Sequence, residues 1–335
     1  MTDRTPYILV TGATGAVGPR VVASLVEGGC GVRTISLDPP PVGLWPEEVE
    51  TQIGDITDPR AVRAAMVGID AVIHLAALLH VVNPPPSLQA EYERINVGGT
   101  AVVFEAARQA GVGRLVLFST IAVYGDSAGG ILTEDSPPRP DSFYAATKLA
   151  AERIVLAATR ADGRPMGTVL RLGAVYGSRI KGNYRRLLVA LARGRFIPVG
   201  PGSNRRTLVY DRDVGRAAML AAVHPDAAGR IFNVTDGQIH TMEAIIGTLC
   251  GALGCVPPRL TLPVNATRRF AGLLEDGARL FGFRSPIVRA TIDKYTEDVA
   301  VDGNRICAQL GFVPRYDLAE GWRETVAEMR QAGDL

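Results

Sequence analysis

The stretch Thr11-Gly12-Ala13-Thr14-Gly15-Ala16-Val17-Gly18 constrains this 335-residue chain more than any other. It follows an apolar run, Tyr7-Ile8-Leu9-Val10, that predicts a short buried strand. It precedes Val21, Val22, Leu25 and Val26, apolar at helical spacing. Strand, glycine-rich turn and helix together make a dinucleotide phosphate site. Glycines let the backbone turn tightly and approach a pyrophosphate, whose charge is favoured by N–H groups at a helix N-terminus. The spacing is Gly-x-x-Gly-x-x-Gly, not the commonest Gly-x-Gly-x-x-Gly fingerprint, and glycine also marks ordinary turns. The next strand strengthens the reading. Val32-Arg33-Thr34-Ile35-Ser36-Leu37 ends at Asp38, twenty positions beyond Gly18. A carboxylate there accepts hydrogen bonds from both adenosine ribose hydroxyls and repels a 2′-phosphate, so NAD is expected rather than NADP. Arg33 lies too early on the strand to reverse that preference.

Strand and helix signals alternate through the first half. A proline-rich loop (Pro39-Pro40-Pro41) leads to a short strand, Val49 to Ile53, closed by Gly54-Asp55, with Asp55-Ile56 where a strand end meets an adenine. Asp58-Pro59 predicts a helix start. Ala71-Val72-Ile73-His74-Leu75-Ala76-Ala77 reads as a strand running into small residues that let a cofactor approach. Pro84-Pro85-Pro86 marks a surface loop, Glu91 to Ala110 a long helix, and Leu115 to Phe118 the next buried strand. This alternation predicts an α/β fold with a doubly wound parallel sheet of Rossmann type. Beyond Leu172 the pattern loosens. Val169 to Leu172, Thr207 to Tyr210 and Ile231 to Val234 read as further sheet strands. Helices are predicted over Asn183 to Arg193, Thr241 to Gly251 and Val264 to Phe281. The expected organisation is a dinucleotide domain over 1–172, with sheet strands returning near 205–215 and 230–236. A smaller, interleaved substrate lobe occupies most of 173–335.

Composition narrows the partners. Net charge is +2, which gives no electrostatic case for nucleic acid or an anionic membrane. Cys30, Cys250, Cys255 and Cys307 lack Cys-x-x-Cys spacing and read as reduced core thiols. His74, His80, His224 and His240 form no ligand cluster, so no metal is expected. No apolar run reaches membrane-spanning length, and the first strand begins almost at once, leaving no room for a signal peptide. A cytoplasmic protein acting on a small molecule is the expectation.

The chemistry is expected further along. Phe118-Ser119-Thr120 closes a strand, and Tyr144-Ala145-Ala146-Thr147-Lys148 opens a helix reaching about Thr159. Residues four apart share a helix face, so Tyr144 and Lys148 point the same way. A phenol ionises near pH 10 in water. A neighbouring ammonium and the positive ring of an oxidised nicotinamide bring it toward the range of a useful base. The Thr120 hydroxyl then orients the substrate hydroxyl or carbonyl. Tyr-x-x-x-Lys is common on amphipathic helices; its position after a dinucleotide site and a strand ending in Ser-Thr gives it weight.

These residues, with Asn96, Val123-Tyr124-Gly125, Arg171 to Gly177, Arg206 to Val214 and Leu310-Gly311-Phe312-x-Pro314, resemble an extended short-chain dehydrogenase/reductase of the NAD-dependent epimerase/dehydratase family, UDP-glucose 4-epimerase-like. The likeness covers nearly the whole chain. It implies Tyr144 as acid/base, Lys148 as ribose ligand and modulator of the tyrosine, and Thr120 as third catalytic member. It implies NAD contacts from Gly12, Thr14, Gly15, Ala16, Val17, Gly18, Asp38, Asp55, Ile56, Leu75, Ala76, Ala77, Asn96, Ser119, Tyr144 and Lys148. Arg206 corresponds to an arginine that grips substrate phosphates, with Lys181 and Arg205 nearby. A homodimer through the helices 91–110 and 144–159 is expected, with Leu149, Ile154, Val155 and Leu156 serving either that interface or the sheet.

Three departures bear on the reaction. Ile121-Ala122 follow Thr120 where dehydratases carry Asp-Glu, which argues against 4,6-dehydration. Gly173-Ala174 replace the Phe-Asn that precedes Val-Tyr-Gly in many sugar-nucleotide epimerases. Pro263 to Pro286 interleaves Phe270, Leu273, Leu274, Leu280 and Phe281 with arginines, either as the buried face of a lobe helix or as a lid over a hydrophobic substrate. The leading expectation is an NAD-dependent sugar-nucleotide 4-epimerase working through a 4-keto intermediate. The alternative is a dehydrogenase or ketoreductase acting on a secondary alcohol, of a deoxysugar nucleotide or a sterol-like lipid.

Overall fold

A computed structural model describes residues 5–79, 85–280 and 288–335. In chain order its strands are β1 (Tyr7–Thr11), β2 (Gly31–Ser36), β3 (Glu50–Ile53), β4 (Ala71–His74), β5 (Arg114–Thr120), β6 (Gly167–Leu172), β7 (Ala174–Tyr176), β8 (Arg205–Arg206), β9 (Leu208–Tyr210), β10 (Arg230–Val234) and β11 (His240–Thr241). The helices are α1 (Gly18–Glu27), α2 (Pro59–Ala65), α3 (Pro86–Tyr92), α4 (Thr100–Gln109), α5 (Phe143–Leu156), α6 (Asn183–Ala192), α7 (Asp211–Val223), α8 (Met242–Leu253), α9 (Val264–Leu280), α10 (Arg289–Thr296), α11 (Asn304–Leu310) and α12 (Leu318–Gln331).

Seven parallel strands form the central sheet in the order β10-β6-β5-β4-β1-β2-β3. Side chains alternate across it, as a strand's period of two requires. Ile8 and Val10 of β1 face one side with α1 and α7, whereas Leu9 faces the other with residues of α4 and α5. Both faces are covered, which is why the strands read as continuous apolar runs rather than alternating ones. A separate core holds the lobe, where Trp322 stacks on Tyr176 with ring centroids 4.3 Å apart.

The expected interleaving is present, with one change of partner. β10 returns to the sheet edge beside β6, and α7 packs on α1. The strand expected at 207–210 does not join the sheet. β9 pairs with β7 in a separate two-stranded ribbon: the Gly173 N–H still donates to the Val234 carbonyl of β10, whereas the Ala174 N–H turns to the Thr207 carbonyl.

Local signals held at several boundaries. Asp58 caps α2, accepting from the Arg60 N–H at 2.8 Å, with Pro59 in the first turn. The long helix expected over 91–110 starts earlier, at Pro86, so that proline opens a helix rather than closing a loop. The helix is also not uniform: Glu93–Gly99 is π-helical between α3 and α4. Leu149, Val155 and Leu156 pack within the chain's own cores. On α9 the reading as a buried face is overturned. Ala271 is buried, but Phe270, Leu273 and Leu274 are 62%, 72% and 40% exposed. His80, Phe281 and Pro286 lie outside the described residues.

Candidate active site

β1 and β4 are neighbours, with β2 and β3 beyond the first and β5, β6 and β10 beyond the second. At this point of the sheet the connections run to opposite sides, and the carboxyl ends of the strands open on a crevice. The glycine turn follows β1 directly. Gly12 has φ of +70°, and a Cβ there would stand 2.7 Å from the Ala76 backbone. Only glycine lets the loop after β1 lie against the loop after β4. A Cβ at Gly18 would meet the Ala13 carbonyl oxygen at 2.1 Å, so α1 rests directly on the turn. Gly15 differs. Its Cβ would meet nothing nearer than the Gly12 carbonyl at 3.0 Å, so its missing side chain clears space for a ligand. α1 begins with no side-chain cap. Pro19 has no N–H, and the Arg20 and Val21 N–H groups donate to the Val17 carbonyl at 3.0 and 3.2 Å, so the Gly18 N–H remains for an anion.

Asp38 is exposed two residues beyond β2, whose Ser36 hydroxyl accepts from the Thr14 N–H at 3.2 Å. Arg33 is held elsewhere: Nε reaches Glu50 at 2.8 Å, and Nη1 reaches the Ala65 and Val67 carbonyls at 2.9 and 2.7 Å. No charge from Arg33 offsets the Asp38 carboxylate. Asp55 turns one oxygen onto the Thr57 N–H at 2.8 Å, and Ile56 is buried where a Cβ on Gly99 would touch it.

Two buried networks hold these loops. His74 Nδ1 lies 2.7 Å from the Thr11 hydroxyl and Nε2 3.0 Å from that of Thr100. The Thr100 hydroxyl donates to the Asn96 carbonyl at 2.6 Å, so it accepts from Nε2–H, and Nδ1 accepts from Thr11. Burial, with the charge of Lys148 nearby, lowers the imidazole to about 3, so the ring is neutral. The Thr11 hydroxyl in turn accepts from the Ala76 N–H at 3.3 Å. In the second network Asn96 Oδ1 accepts from the Leu78 N–H at 2.7 Å. Its Nδ2 donates to the Leu78 carbonyl and the Thr147 hydroxyl, both at 3.2 Å, and Thr147 donates to the Tyr144 carbonyl at 2.8 Å. Asn96 stands on the π-helical segment, whose extra residue per turn re-aims a side chain. It fastens the loop after β4 to the start of α5.

The reactive groups come from β5 and α5. Ser142 caps α5, accepting from the Ala145 N–H at 3.3 Å, and starts the helix so that Tyr144, Lys148 and Glu152 follow one another at four-residue intervals. Burial raises the Tyr144 phenol to about 12, with Tyr92 adding to the effect. The Tyr92 ring meets Tyr144 edge-on at 6.2 Å, and its hydroxyl is fixed on the Leu79 carbonyl at 2.5 Å. Burial lowers the Lys148 ammonium to about 8, and the Glu152 carboxylate opposes that fall. Thr120 ends β5, and its hydroxyl oxygen accepts from the Ala122 N–H at 3.2 Å, leaving its proton to donate.

Ser119 points away from the crevice. Its hydroxyl donates to Glu152, which also grips Arg171 through Nε at 3.0 Å and Nη2 at 2.6 Å. The Arg171 guanidinium lies 4.7 Å from the centroid of the Tyr124 ring, and the Tyr124 hydroxyl donates to Asn233 at 2.8 Å. Ser119 can therefore serve a cofactor through its backbone only. Glu152, Arg171 and Tyr92 were not marked as site residues by the sequence. Glu152 carried a signal, since it continues the Tyr144–Lys148 face by one more turn.

The lobe cations are not brought together as expected. Arg206 donates to the carbonyls of Arg205, Lys294, Tyr295 and Glu297, clamping the end of α10. Arg205 is paired with Asp298, Nη2 to Oδ2 at 2.6 Å. Lys181 alone of the three is exposed without a carboxylate partner among the described residues. It lies at the start of α6, on a cavity of about 560 Å³. Arg206, read from the sequence as a ligand of substrate phosphates, is thus engaged by backbone carbonyls at the end of α10.

With this geometry in place, comparison with known proteins identifies the class. The description of the NAD dependent epimerase/dehydratase family matches residues 8–235, and the chain belongs to that family. It is 26% identical to N-acetyl-alpha-D-glucosaminyl-diphospho-ditrans,octacis-undecaprenol 4-epimerase of Escherichia coli O157:H7, over 95% of this chain and 94% of that protein. It is 32% identical to dTDP-glucose 4,6-dehydratase of Streptomyces griseus, over 96% and 94%. Among solved structures, MoeE5 in complex with UDP-glucose and NAD is 31% identical with a TM-score of 0.74, covering 97% of this chain and 99% of that one. The protein is an NAD-dependent enzyme of the extended short-chain dehydrogenase/reductase superfamily. The space cleared at Gly15, the uncapped α1 and the exposed Asp38 fit that cofactor.

Proposed function

We propose that this enzyme is a 4-epimerase of a nucleotide sugar. The observation that carries the reading is the sequence of groups along β5 and α5. Thr120 is followed by Ile121 and Ala122, with no carboxylate, while Tyr144 and Lys148 share one face of the helix. A 4,6-dehydration needs an acid to protonate and expel a hydroxyl, and none follows Thr120. The likeness to a dehydratase at 32% identity covers the fold and cofactor site without supplying that group.

Bound NAD supplies the hydride acceptor and, later, the hydride donor. Tyr144 takes the proton of the sugar 4-hydroxyl as the 4-keto compound forms and returns it at the end. Lys148 favours the phenolate by its charge, against the burial that otherwise holds the phenol neutral. The Thr120 hydroxyl, its oxygen occupied by the Ala122 N–H, donates to the substrate oxygen. We further propose Asp38 and Asp55 as ligands of the adenosine end of NAD, and a homodimer through α4 and α5. A net dehydrogenase is the second reading, favoured by Gly173-Ala174 and by the engagement of Arg206 with α10, both of which leave the diphosphate without its expected ligands.

Incubating the protein with NAD and a panel of nucleotide sugars and secondary alcohols tests both. Epimerised sugar with no net NADH is the expected result. NADH rising in step with a keto product would replace the first reading by the second.

A further inference from the structure

The net charge of +2 conceals an uneven distribution. Residues 163–210 hold ten lysines and arginines and no aspartate or glutamate. Arg164, Arg171, Arg205 and Arg206 are paired or spent on carbonyls. The other six lie on α6 and its flanks, between Arg179 and Arg195. Of these only Arg185 has a carboxylate partner among the described residues, Asp334 at 3.1 Å. Arg186, Arg193 and Arg195 are exposed around the cavity on α6. Unpaired cations concentrated on one helix and its flanks create a field that a chain-wide sum hides.

The chain that leaves this cationic stretch is tied to the chain that enters α9. The segment after Arg195 forms a parallel bridge with the residues before α9. The Gly200 N–H donates to the Leu262 carbonyl at 2.8 Å, and the Leu262 N–H donates to Pro198 at 2.9 Å. Along that seam Ile197, Leu260 and Leu262 are exposed, and α9 carries Phe270, Leu273 and Leu274 at three- and four-residue spacing on from it. At 1.5 Å per residue, Leu274 stands about 15 Å beyond Val264. The two carboxylates of α9, Glu275 and Asp276, are held by Arg289, and Arg268 is held by Asp293, so acid does not offset Arg269 or the α6 cations.

We propose that this face docks the enzyme onto an anionic lipid bilayer, α9 and the seam entering the headgroup boundary and the α6 cations lying against lipid phosphates. Apolar side chains in a stripe beside arginines are the composition of an interfacial helix. Neither feature alone holds a protein on a membrane, whereas the two together do. This reverses the expectation, drawn from net charge, that no membrane is involved. The surface lies on elements separate from Tyr144, Lys148 and the glycine turn, so the inference stands whether the reaction is epimerisation or net oxidation.

Vesicle flotation of the full chain is the test, with phosphatidylcholine alone and phosphatidylcholine containing phosphatidylglycerol. The expected result is co-flotation with the anionic vesicles only, released by high salt. Combined Arg186→Glu, Arg193→Glu and Arg195→Glu reduces partitioning about a hundredfold. Combined Phe270→Asp and Leu273→Asp reduces it at least about tenfold. In both variants circular dichroism and NAD binding match the parent. Absence of flotation by the parent overturns the proposal, as does flotation that both variants retain. It is equally overturned if light scattering shows a dimer that Phe270→Asp with Leu273→Asp dissociates, since the stripe would then cover a second copy.

Discussion

The cofactor half and the lobe treat charged residues in opposite ways. Around the crevice, functional side chains stand at the ends of neighbouring parallel strands, Thr11 ending β1, His74 ending β4 and Thr120 ending β5, so the regular sheet brings together partners as far apart in sequence as Thr11 and Ala76. In the lobe, Arg205 and Arg206 sit side by side in sequence, yet Asp298, which pairs with Arg205, and the Lys294, Tyr295 and Glu297 carbonyls, which hold Arg206, lie 88 to 93 residues further on. The first arrangement keeps groups available to a ligand. The second uses the same residue types to close the chain on itself. Charge and motif are therefore enough to locate a site only where regular sheet topology dictates how its parts meet.

The largest expected effect tests the cofactor half. Tyr144→Phe removes the group that exchanges the substrate proton and leaves the glycine turn and Asp38 untouched. Turnover is expected to fall by about 10²- to 10⁴-fold while NAD affinity, measured by fluorescence titration, stays unchanged. Joint loss of both would show that Tyr144 supports the fold of the crevice instead.

The buried imidazole gives a stability test of the same half. His74 ionises near 6.5 when unfolded and only at about 3 when folded, because burial and Lys148 both disfavour its charge. The unfolded chain therefore binds the extra proton first as pH falls. The stabilisation is fully present above pH 6.5 and is lost progressively toward pH 3, amounting to about 4 kcal/mol over that span. Urea unfolding at a series of pH values measures it. His74→Asn is expected to flatten that acid slope, and an unchanged slope would assign the acid sensitivity to other groups.

Glu152 belongs to the cofactor half, where α5 meets β5 and β6. Its carboxylate holds Ser119 and Arg171 out of water, and both members of the ion pair are almost fully buried. Glu152→Ala leaves a buried guanidinium unpaired and is expected to cost about 3–5 kcal/mol in chemical denaturation. Replacing Arg171 and Glu152 together by apolar residues is expected to cost less than either single change. A double change as damaging as the sum of the singles would show that the pair is not the source of the effect.

How far the sequence revealed the molecule follows the same division. The glycine turn and the Tyr144–Lys148 face were legible because each is a pattern within one strand–turn–helix unit or one helix turn, and the strand ends because parallel sheet topology sets them side by side. The π-helical segment was not, since Glu93–Gly99 has the same composition as any helix and only its contacts with α5 select the wider turn. β9 read as a sheet strand from its apolar residues, and nothing local revealed that β7, not the sheet, is its partner. The stripe on α9 read as a buried face because periodicity marks which residues share a side, not what covers that side. The role of Arg206 was illegible for a related reason: the carbonyls it holds belong to a helix end whose position depends on the whole lobe.

Arg206 supplies the smallest effect and the sharpest comparison between the halves. If the clamp on α10 is its function, Arg206→Met leaves several carbonyls short of a donor, and stability falls by about 2 kcal/mol. KM for the substrate then changes little, because Arg206 makes no contact with the crevice groups. If ligand binding instead draws Arg206 out of the clamp to hold a diphosphate, KM rises tenfold or more and thermal stability of the free enzyme still falls. The two measurements separate these cases: denaturation of the free protein reports the clamp, and KM reports the grip. A stability loss with unchanged KM would mean that a residue recognised by its neighbours in sequence has been retained for the lobe's architecture, with substrate anions falling to exposed cations such as Lys181.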